Sequence, residues 1–263
     1  MRPTTPWPYV PTSSRESRHV SRAYVGMAGW VYPPWRGTFY PPGLRHADEL
    51  AHAATRVTSI EINSSFYSTP KPASWAAWRD AVPDDFVFAV KAHRYLTVVK
   101  RLRDPAESVD RFLDSGVRDL GSKLGPILWQ LPDDLPYDED AVAGFLTELR
   151  RHPLRFALEV RHPSFADERF RAQAEQAGVA VVLGDTANGW PVLEWATADF
   201  AYARLHGDLD AYPDGYDAAG IARWATWARE QRAAGRDAYL YCVTENKLHS
   251  PRDAEALLAA LRS

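Results

Sequence analysis

Apolar and polar residues alternate in a repeating order along most of the chain. From Arg22 onward, short stretches of β-branched and aromatic residues are each followed by a polar loop and a segment rich in Ala, Arg and Glu. Alternation with period two is typical of strands, and apolar residues three and four positions apart are typical of helices. The pattern predicts strands at Tyr24–Ala28, Val57–Asn63, Phe86–Ala92, Pro126–Leu131, Arg155–Arg161, Val179–Gly184, Phe200–His206 and Asp237–Val243. It predicts helices at Ala47–Arg56, Ala73–Ala81, Pro105–Leu120, Glu139–Arg151, Ala166–Ala177, Ala218–Ala234 and Pro251–Leu261.

This order of elements predicts the fold class. Strands that alternate with helices pair in parallel through right-handed crossovers. Eight such units over residues 22–263 match the (β/α)₈ barrel, which typically has about 250 residues. A doubly wound open sheet is the alternative, because alternation alone does not show closure, but no strand is followed by a glycine-rich nucleotide-binding motif. We therefore predict an α/β protein with one TIM-type (β/α)₈ barrel of parallel strands at 22–263, preceded by a flexible N-terminal extension at 1–21.

Polar residues occupy one face of most predicted strands, near the carboxyl end. In such a barrel these faces point inward, and the active site lies at the mouth formed by the carboxyl ends. The residues expected to converge there are Glu61, Lys91, Gln130, Glu159, Arg161, Asp185, Arg204 and His206. They comprise three carboxylates and three cations, which would also fit a structural ion-pair network. Because a barrel filled with apolar residues would be at least as stable, the pattern favours a functional site.

Composition limits the function classes. The 263 residues carry a net charge of −3, which argues against strong binding to a nucleic-acid backbone. A single cysteine, Cys242, excludes an internal disulfide framework and a cysteine-rich zinc site. No apolar run is long enough to span a bilayer, and residues 1–20 lack the apolar core of a secretory signal. We expect a cytoplasmic protein without a membrane partner.

Seven stretches of the chain resemble the domain of unknown function 72 family, also called YecE-like. They are GWVYPPWRGTFYPPGL (29–44), IEINSSFY (60–67), FVFAVKA (86–92), KLGPILWQLP (123–132), ALEVRHPSF (157–165), YARLHG (202–207) and DAYLYC (237–242). The resemblance implies a TIM-type barrel with a site at its mouth, and it implies no particular reaction. The chain departs from the family pattern at Met27 and Ala28, at Val98, and at 243–245, where it has Val, Thr and Glu. These departures indicate a shifted specificity or a partly degenerate site.

The candidate catalytic residues are Glu61, Glu159, Lys91 and His206. Inward carboxylates beside cations suit acid–base catalysis, since their pKa values can be tuned by the surroundings. His206 could also transfer protons. Lys91 could act as a Schiff-base amine if its charge is suppressed by burial. Such a lysine more often pairs with a carboxylate or a substrate phosphate, and charge pairing is therefore the favoured interpretation.

A second set of residues is predicted to bind the substrate. Arg161 and Arg204 are bidentate donors suited to a carboxylate or a phosphate, so the ligand should be a small anion. The rings of Trp30, Tyr32 and Trp35 would either face this ligand or plug the mouth. Asn63, Gln130, His162, Asp185 and Tyr241 complete the predicted substrate-binding set.

No cofactor is predicted, although a divalent metal is an alternative. Carboxylates and a histidine on neighbouring strands are suitable ligands, but the interspersed Lys and Arg residues already neutralise them, and no H-E-x-x-H motif is present. We therefore expect a metal-independent enzyme that acts on a small polar anion. The alternatives are a metal-dependent hydrolase or isomerase of phosphoester, sugar or nucleic-acid substrates, and a non-catalytic ligand-binding barrel.

Overall fold

The strands of the protein lie close to their predicted positions. The structure, a computed structural model, describes residues 20–185, 189–244 and 247–263. Within these ranges the strands are β1 (Ala23–Ala28), β2 (Ser59–Ile62), β3 (Val87–Lys91), β4 (Leu124–Gln130), β5 (Phe156–Glu159), β6 (Ala180–Val181), β7 (Leu183–Gly184), β8 (Phe200–Leu205) and β9 (Asp237–Cys242). The predicted N-terminal extension falls almost entirely outside the described residues and stays a prediction.

All strand pairs are parallel, and their order is β6-β5-β4-β3-β2-β1-β9-β8-β7. Because β6 and β7 follow each other in the chain with only Val182 between them, the two ends of this order meet. The sheet is therefore a nearly closed α/β barrel, as predicted, and the open-sheet alternative is wrong.

The sixth predicted strand is split, which the sequence did not indicate. β6 pairs with β5, whereas β7 pairs with β8 on the opposite side. Beside β6, the hydroxyl of Thr197 takes the place of a neighbouring strand: it accepts from Val181 N at 2.9 Å and donates to Val179 O at 2.7 Å. The split lets one short segment form backbone hydrogen bonds with both β5 and β8 where the barrel closes.

Helices cover the outside of the barrel. Within the described ranges they are α1 (Glu49–Ala54), α2 (Ser64–Tyr67), α3 (Pro72–Asp80), α4 (Pro105–Leu113), α5 (Glu139–Leu149), α6 (Glu168–Ala177), α7 (Ala218–Ala233) and α8 (Ser250–Arg262). Asp138, Asp167 and Asp217 cap α5, α6 and α7 by accepting backbone hydrogen bonds. The predicted helix at 105–120 ends early, because Gly116 with φ 103° breaks it before a 3₁₀ segment. No described helix combines the length and apolar character needed to cross a membrane.

The two faces of each strand pack in separate clusters. Outward side chains such as Ile60, Val90 and Trp129 join the large core beneath the helices. Inward side chains such as Ala89, Tyr202 and Tyr241 form a second cluster inside the barrel. The predicted assignment of faces is thus confirmed, and it places the polar inward residues above this inner cluster.

Candidate functional site

Seven of the eight predicted inward polar residues form one connected cluster where the strands end. This cluster is called the mouth network below. Five of its members lie on strands: Glu61 (β2), Lys91 (β3), Gln130 (β4), Glu159 (β5) and Arg204 (β8). The other two, Arg161 and His206, lie just beyond the ends of β5 and β8. They meet because parallel strands place their carboxyl ends at one edge of a barrel.

Arg204 is the centre of the mouth network. Its Nη2 donates to Glu61 Oε1 at 2.9 Å, and its Nε donates to Glu61 Oε2 at 3.2 Å. Its Nη1 donates to Glu159 Oε2 at 2.6 Å. All three side chains are buried, so one guanidinium compensates two buried carboxylates that come from two separate strands, β2 and β5.

A second layer lies around Arg161 and Lys91. Arg161 Nη2 donates to Glu159 Oε1 and to Gln130 Oε1, each at 3.0 Å. Lys91 Nζ donates to the same Gln130 oxygen at 2.6 Å. The partner of Lys91 in this network is therefore a neutral amide rather than a carboxylate, although the sequence favoured charge pairing.

The floor of the network consists of tyrosines. Tyr202 OH donates to Glu61 Oε2 at 2.7 Å, and Tyr241 OH lies 2.7 Å from the hydroxyl of Ser59. Both rings are buried. Tyr241 is thus part of the barrel interior beneath the network, and the prediction that it contacts substrate is not supported by its position.

Two further groups lie at the upper edge. His206 Nε2 is 3.4 Å from Glu159 Oε1, and it is buried without a hydrogen-bond partner among the described residues. The guanidinium of Arg161 stacks on Trp190, with 3.8 Å between the guanidinium carbon and the ring centroid. Trp190 also contacts the His206 ring edge-on.

Burial and neighbouring charges shift the pKa values of the network. Burial, together with the positive charge of Arg204, lowers the pKa of Lys91 to about 7. Burial alone would raise the pKa of Glu159, but Arg204 and Arg161 outweigh it and hold that pKa well below 4.5. Burial lowers the pKa of His206, and the nearby Glu159 only partly offsets this. Near pH 7, Glu159 is therefore ionised while Lys91 exchanges between its two forms.

A pocket of about 240 Å³ opens beside the network. It is lined by Gly29, Trp30, Val31, Tyr32, Asn63, Ser64 and Tyr67. Its link to the network is short, because Gly29 N donates to the backbone oxygen of Glu61 at 2.8 Å, and Asn63 lies two residues after Glu61, just beyond the end of β2. Asn63 Oδ1 is buried and has no partner among the described residues. The predicted residues Trp30, Tyr32 and Asn63 thus share one small cavity.

Three predicted binding residues have other positions. Trp35 is 1% exposed and donates from Nε1 to Lys247 O at 2.7 Å, so its ring packs in the core and does not face the pocket. His162 is bonded to Ser164 and caps a 3₁₀ turn. Asp185 accepts from the backbone of His206 at 2.8 Å and from four further donors, which include Tyr216 and Arg223. Because both Asp185 oxygens are occupied, Asp185 holds the segment after β8 in place.

Some residues of the site were not singled out from the sequence. Phe66, Tyr67 and Trp190 contact Lys91, the pocket and Arg161, respectively. Phe66 and Tyr67 belong to α2, which is only one turn long, and Trp190 lies in a loop. Periodicity does not detect such elements. Phe66 and Tyr67 could have been found from their position shortly after β2, because other residues of the mouth also lie at or just after a strand end.

The departures from the family pattern make part of the mouth apolar. Ala28 and Val243 belong to the inner cluster, whereas Met27 packs outward in the main core. Val98 lies in a π-helical turn at Tyr95–Val99. The third residue of the 243–245 departure, Glu245, lies outside the described residues.

A group of potential metal ligands lies away from the mouth. Asp110, Glu148 and His152, on and after the outer helices α4 and α5, offer ligand atoms within 4.8 Å of one another. Arg151 donates to Glu148 at 2.6 Å, and Arg118 Nη2 lies 3.4 Å from Nδ1 of His152. Two guanidinium groups at this cluster oppose the binding of a cation.

The fold and the site together define a parallel α/β barrel protein with a buried charged network at its C-terminal mouth. Residues 24–263 match the family described as "Protein of unknown function DUF72", and the chain belongs to that family. The UPF0759 protein YecE of Escherichia coli (strain K12) is 29% identical over 169 residues, which are 62% of this chain and 59% of YecE. YunF of Bacillus subtilis (strain 168) is 26% identical over 157 residues, 57% of this chain and 54% of YunF. The matched region is less than two thirds of either relative.

Solved structures support the fold. A DUF72 family protein from Thermotoga maritima MSB8 superposes with a TM-score of 0.81 at 23% identity, covering 92% of this chain and 100% of that one. A DUF72 family protein from Enterococcus faecalis V583 superposes with a TM-score of 0.75 at 17% identity, covering 93% of this chain and 99% of that one. D-psicose 3-epimerase superposes with a TM-score of 0.52 at 12% identity, covering 84% of this chain and 93% of that one. At these identities the similarity concerns the fold alone.

Proposed function

We propose that this protein is a metal-independent enzyme that transfers protons on a small anionic substrate bound at the C-terminal mouth. The observation that carries the proposal is the placement of Lys91. It is a buried lysine at the position of barrel active sites, and its hydrogen-bond partner is a neutral amide, while the two nearby carboxylates are committed to Arg204 and Arg161. Perturbed ionisable groups of this kind are concentrated at functional sites.

We infer different roles for the four candidate catalytic residues from their surroundings. A proton-transfer group works best when its pKa lies near the working pH, and the pKa of Lys91 is about 7. Glu159 stays ionised and, with Glu61, holds the arginines in place, so both carboxylates act as positioning residues. His206 is the second proton-transfer group, because its buried Nε2 is free of other hydrogen bonds among the described residues.

The balance of charge favours an anionic substrate. The carboxylates of Glu61 and Glu159 offset the guanidinium groups of Arg161 and Arg204, so each proton taken up by Lys91 leaves a net positive charge in the network. Arg161 also keeps its Nη1 without a hydrogen-bond partner among the described residues, and its side chain is 17% exposed. A carboxylate or phosphate could accept from this nitrogen.

The neighbouring pocket would hold the uncharged part of the substrate. Ring surfaces in the pocket are provided by Trp30, Tyr32 and Tyr67. Asn63 Oδ1, which has no hydrogen-bond partner among the described residues, would accept a hydrogen bond from a hydroxyl or an amine of the substrate. A pocket of this size suits a small metabolite.

The proposal is tested by solvent exchange, which does not require that the product be known. EDTA-treated protein is incubated in D₂O with pyruvate, dihydroxyacetone phosphate, glyceraldehyde 3-phosphate, ribose 5-phosphate and glucuronate, and proton NMR records the loss of carbon-bound hydrogen. We expect exchange in at least one compound and a loss of at least about 100-fold in Lys91→Met.

The other outcomes separate the alternatives. Activity that EDTA abolishes and an added divalent metal restores would favour a metal-dependent hydrolase or isomerase. Absence of exchange and turnover with every compound would contradict the proposal and favour a non-catalytic ligand-binding barrel.

A further inference from the structure

Two lysines of the chain are equally buried but have different surroundings. Lys91 and Lys123 are each 7% exposed. Lys123 Nζ donates to the carbonyl oxygens of Arg79 and Val82 at 2.8 and 2.7 Å, and it lies 3.6 Å from a carboxylate oxygen of Asp84. Lys123 is therefore compensated as a buried ammonium should be.

Lys91 lacks this compensation. Its hydrogen-bond partner is Gln130, and the ring of Phe66 shields another side of Nζ at 4.1 Å from the ring centroid. Lys91 forms no ion pair with a carboxylate among the described residues, and the guanidinium groups of Arg204 and Arg161 repel its positive charge. The ring favours the ammonium form, but by less than an ion pair would. These surroundings favour the neutral amine, which is the nucleophilic form of lysine.

We propose that Lys91 is an imine-forming nucleophile and that the substrate is a small aldehyde or ketone that carries a carboxylate or a phosphate. The inference rests on the proposed function, since it names the substrate class for the same site. The neutral Nζ attacks the carbonyl carbon, and the new C–N bond gives a carbinolamine. Its hydroxyl oxygen then leaves as water with the two hydrogens of the amine, and a C=N bond remains. Hydrolysis by water reverses these steps and restores Lys91.

The charge of the intermediate explains the anionic group. Protonation of the imine adds one positive charge to a network in which Glu61 and Glu159 are already matched by Arg161 and Arg204. A carboxylate or phosphate on the substrate offsets this charge. The protonated imine then withdraws electrons from the neighbouring C–H bond, and the proton of that bond passes to Nε2 of His206, because Lys91 is held in the imine and His206 is the second proton-transfer group of the proposed function.

The experiment is reductive trapping on the full-length protein. Pyruvate, dihydroxyacetone phosphate and pyridoxal 5′-phosphate are each added with sodium cyanoborohydride at pH 7.5, and the modified lysine is located by peptide mass spectrometry. At this pH an ordinary lysine is neutral in only about one molecule in a thousand. We expect Lys91 to be modified at least about tenfold faster than the exposed Lys71, while Lys123 stays unmodified.

A pH series and two variants complete the test. The rate of imine formation at Lys91, read by incubating at each pH and then reducing briefly at one fixed pH, should rise up to about pH 7 to 8 and then level off, whereas that of an ordinary lysine should rise up to about pH 10. The rapid adduct should disappear in Lys91→Met and persist in Lys123→Met. If no probe is reduced onto Lys91, or if Lys71 reacts as fast, imine formation is wrong. In that case, D₂O exchange that still depends on Lys91 would leave the proposed proton transfer standing, so the two failures are distinguishable.

Discussion

Replacement of Lys91 by methionine should stabilise the folded protein at neutral and lower pH. Methionine has a similar length and carries no charge, so it removes the cost of burying an ammonium group without an ionic partner. Gln130 is not orphaned, because Arg161 still donates to its oxygen at 3.0 Å. We expect the free energy of unfolding to be higher in Lys91→Met than in the wild type by at least about 1 kcal/mol at pH 6.5.

The magnitude follows from the pKa of Lys91, which is 10.5 for an ordinary side chain and about 7 in the folded protein. Between these pH values the unfolded chain binds more protons than the folded one, so the wild type becomes more stable as the pH rises. The slope approaches about 1.4 kcal/mol per pH unit. Between pH 6.5 and 8.5, the advantage of Lys91→Met should therefore shrink by roughly 2 kcal/mol.

The assay is urea unfolding of both proteins at pH 6.5, 7.5 and 8.5, followed by circular dichroism. The matched control is Lys123→Met, which should be destabilising, because it leaves the carbonyl groups of Arg79 and Val82 without their donor. A difference between the wild type and Lys91→Met that stays constant over this pH range would contradict a lowered pKa, since it would mean that Lys91 keeps its charge.

Three further predictions concern the stability of the barrel and are checked by the same unfolding assay. Glu159→Gln should lower the free energy of unfolding by about 3 to 5 kcal/mol at pH 7. This loss should be complete above pH 4.5 and disappear as the pH falls through the low pKa of Glu159 in the folded protein. An unchanged free energy of unfolding at pH 7 would contradict a positioning role. Asp185→Ala should cost about 2 to 3 kcal/mol, because it leaves several donors near the end of β8 unpaired; an unchanged midpoint would show that water replaces the carboxylate. Gly26→Ala should severely impair folding, since an added Cβ would lie 1.7 Å from Ser59 O; Gly144→Ala, where nothing lies within 4 Å, is the control and should gain up to about 1 kcal/mol.

The sequence alone determined the barrel and most of its inward residues. Period-two alternation is a local property of a strand, so it separated Glu61 from Ile60 and Arg204 from Ala203 without any knowledge of the neighbouring strands. Helix signals were equally local: α6 ends at Ala177, as predicted, and Gly178 follows it with φ 65°. Parallel pairing then placed these inward residues at one mouth, because it aligns the carboxyl ends of the strands.

The surroundings of each of these side chains depend on the folded barrel. Lys91 and Gln130 are 39 positions apart, and Arg204 and Glu61 are 143 apart. Which of these residues meet depends on the closure of the barrel and the stagger of its strands. Asp185 shows the same limit: its strand-end position resembles that of Glu159, but α7 and the segment after β8 occupy its oxygens. The state of an ionisable group depends on burial and on charges brought from distant parts of the chain. The sequence could therefore list the charged residues of the mouth, whereas only the folded barrel distinguishes the paired carboxylates from the unpaired amine.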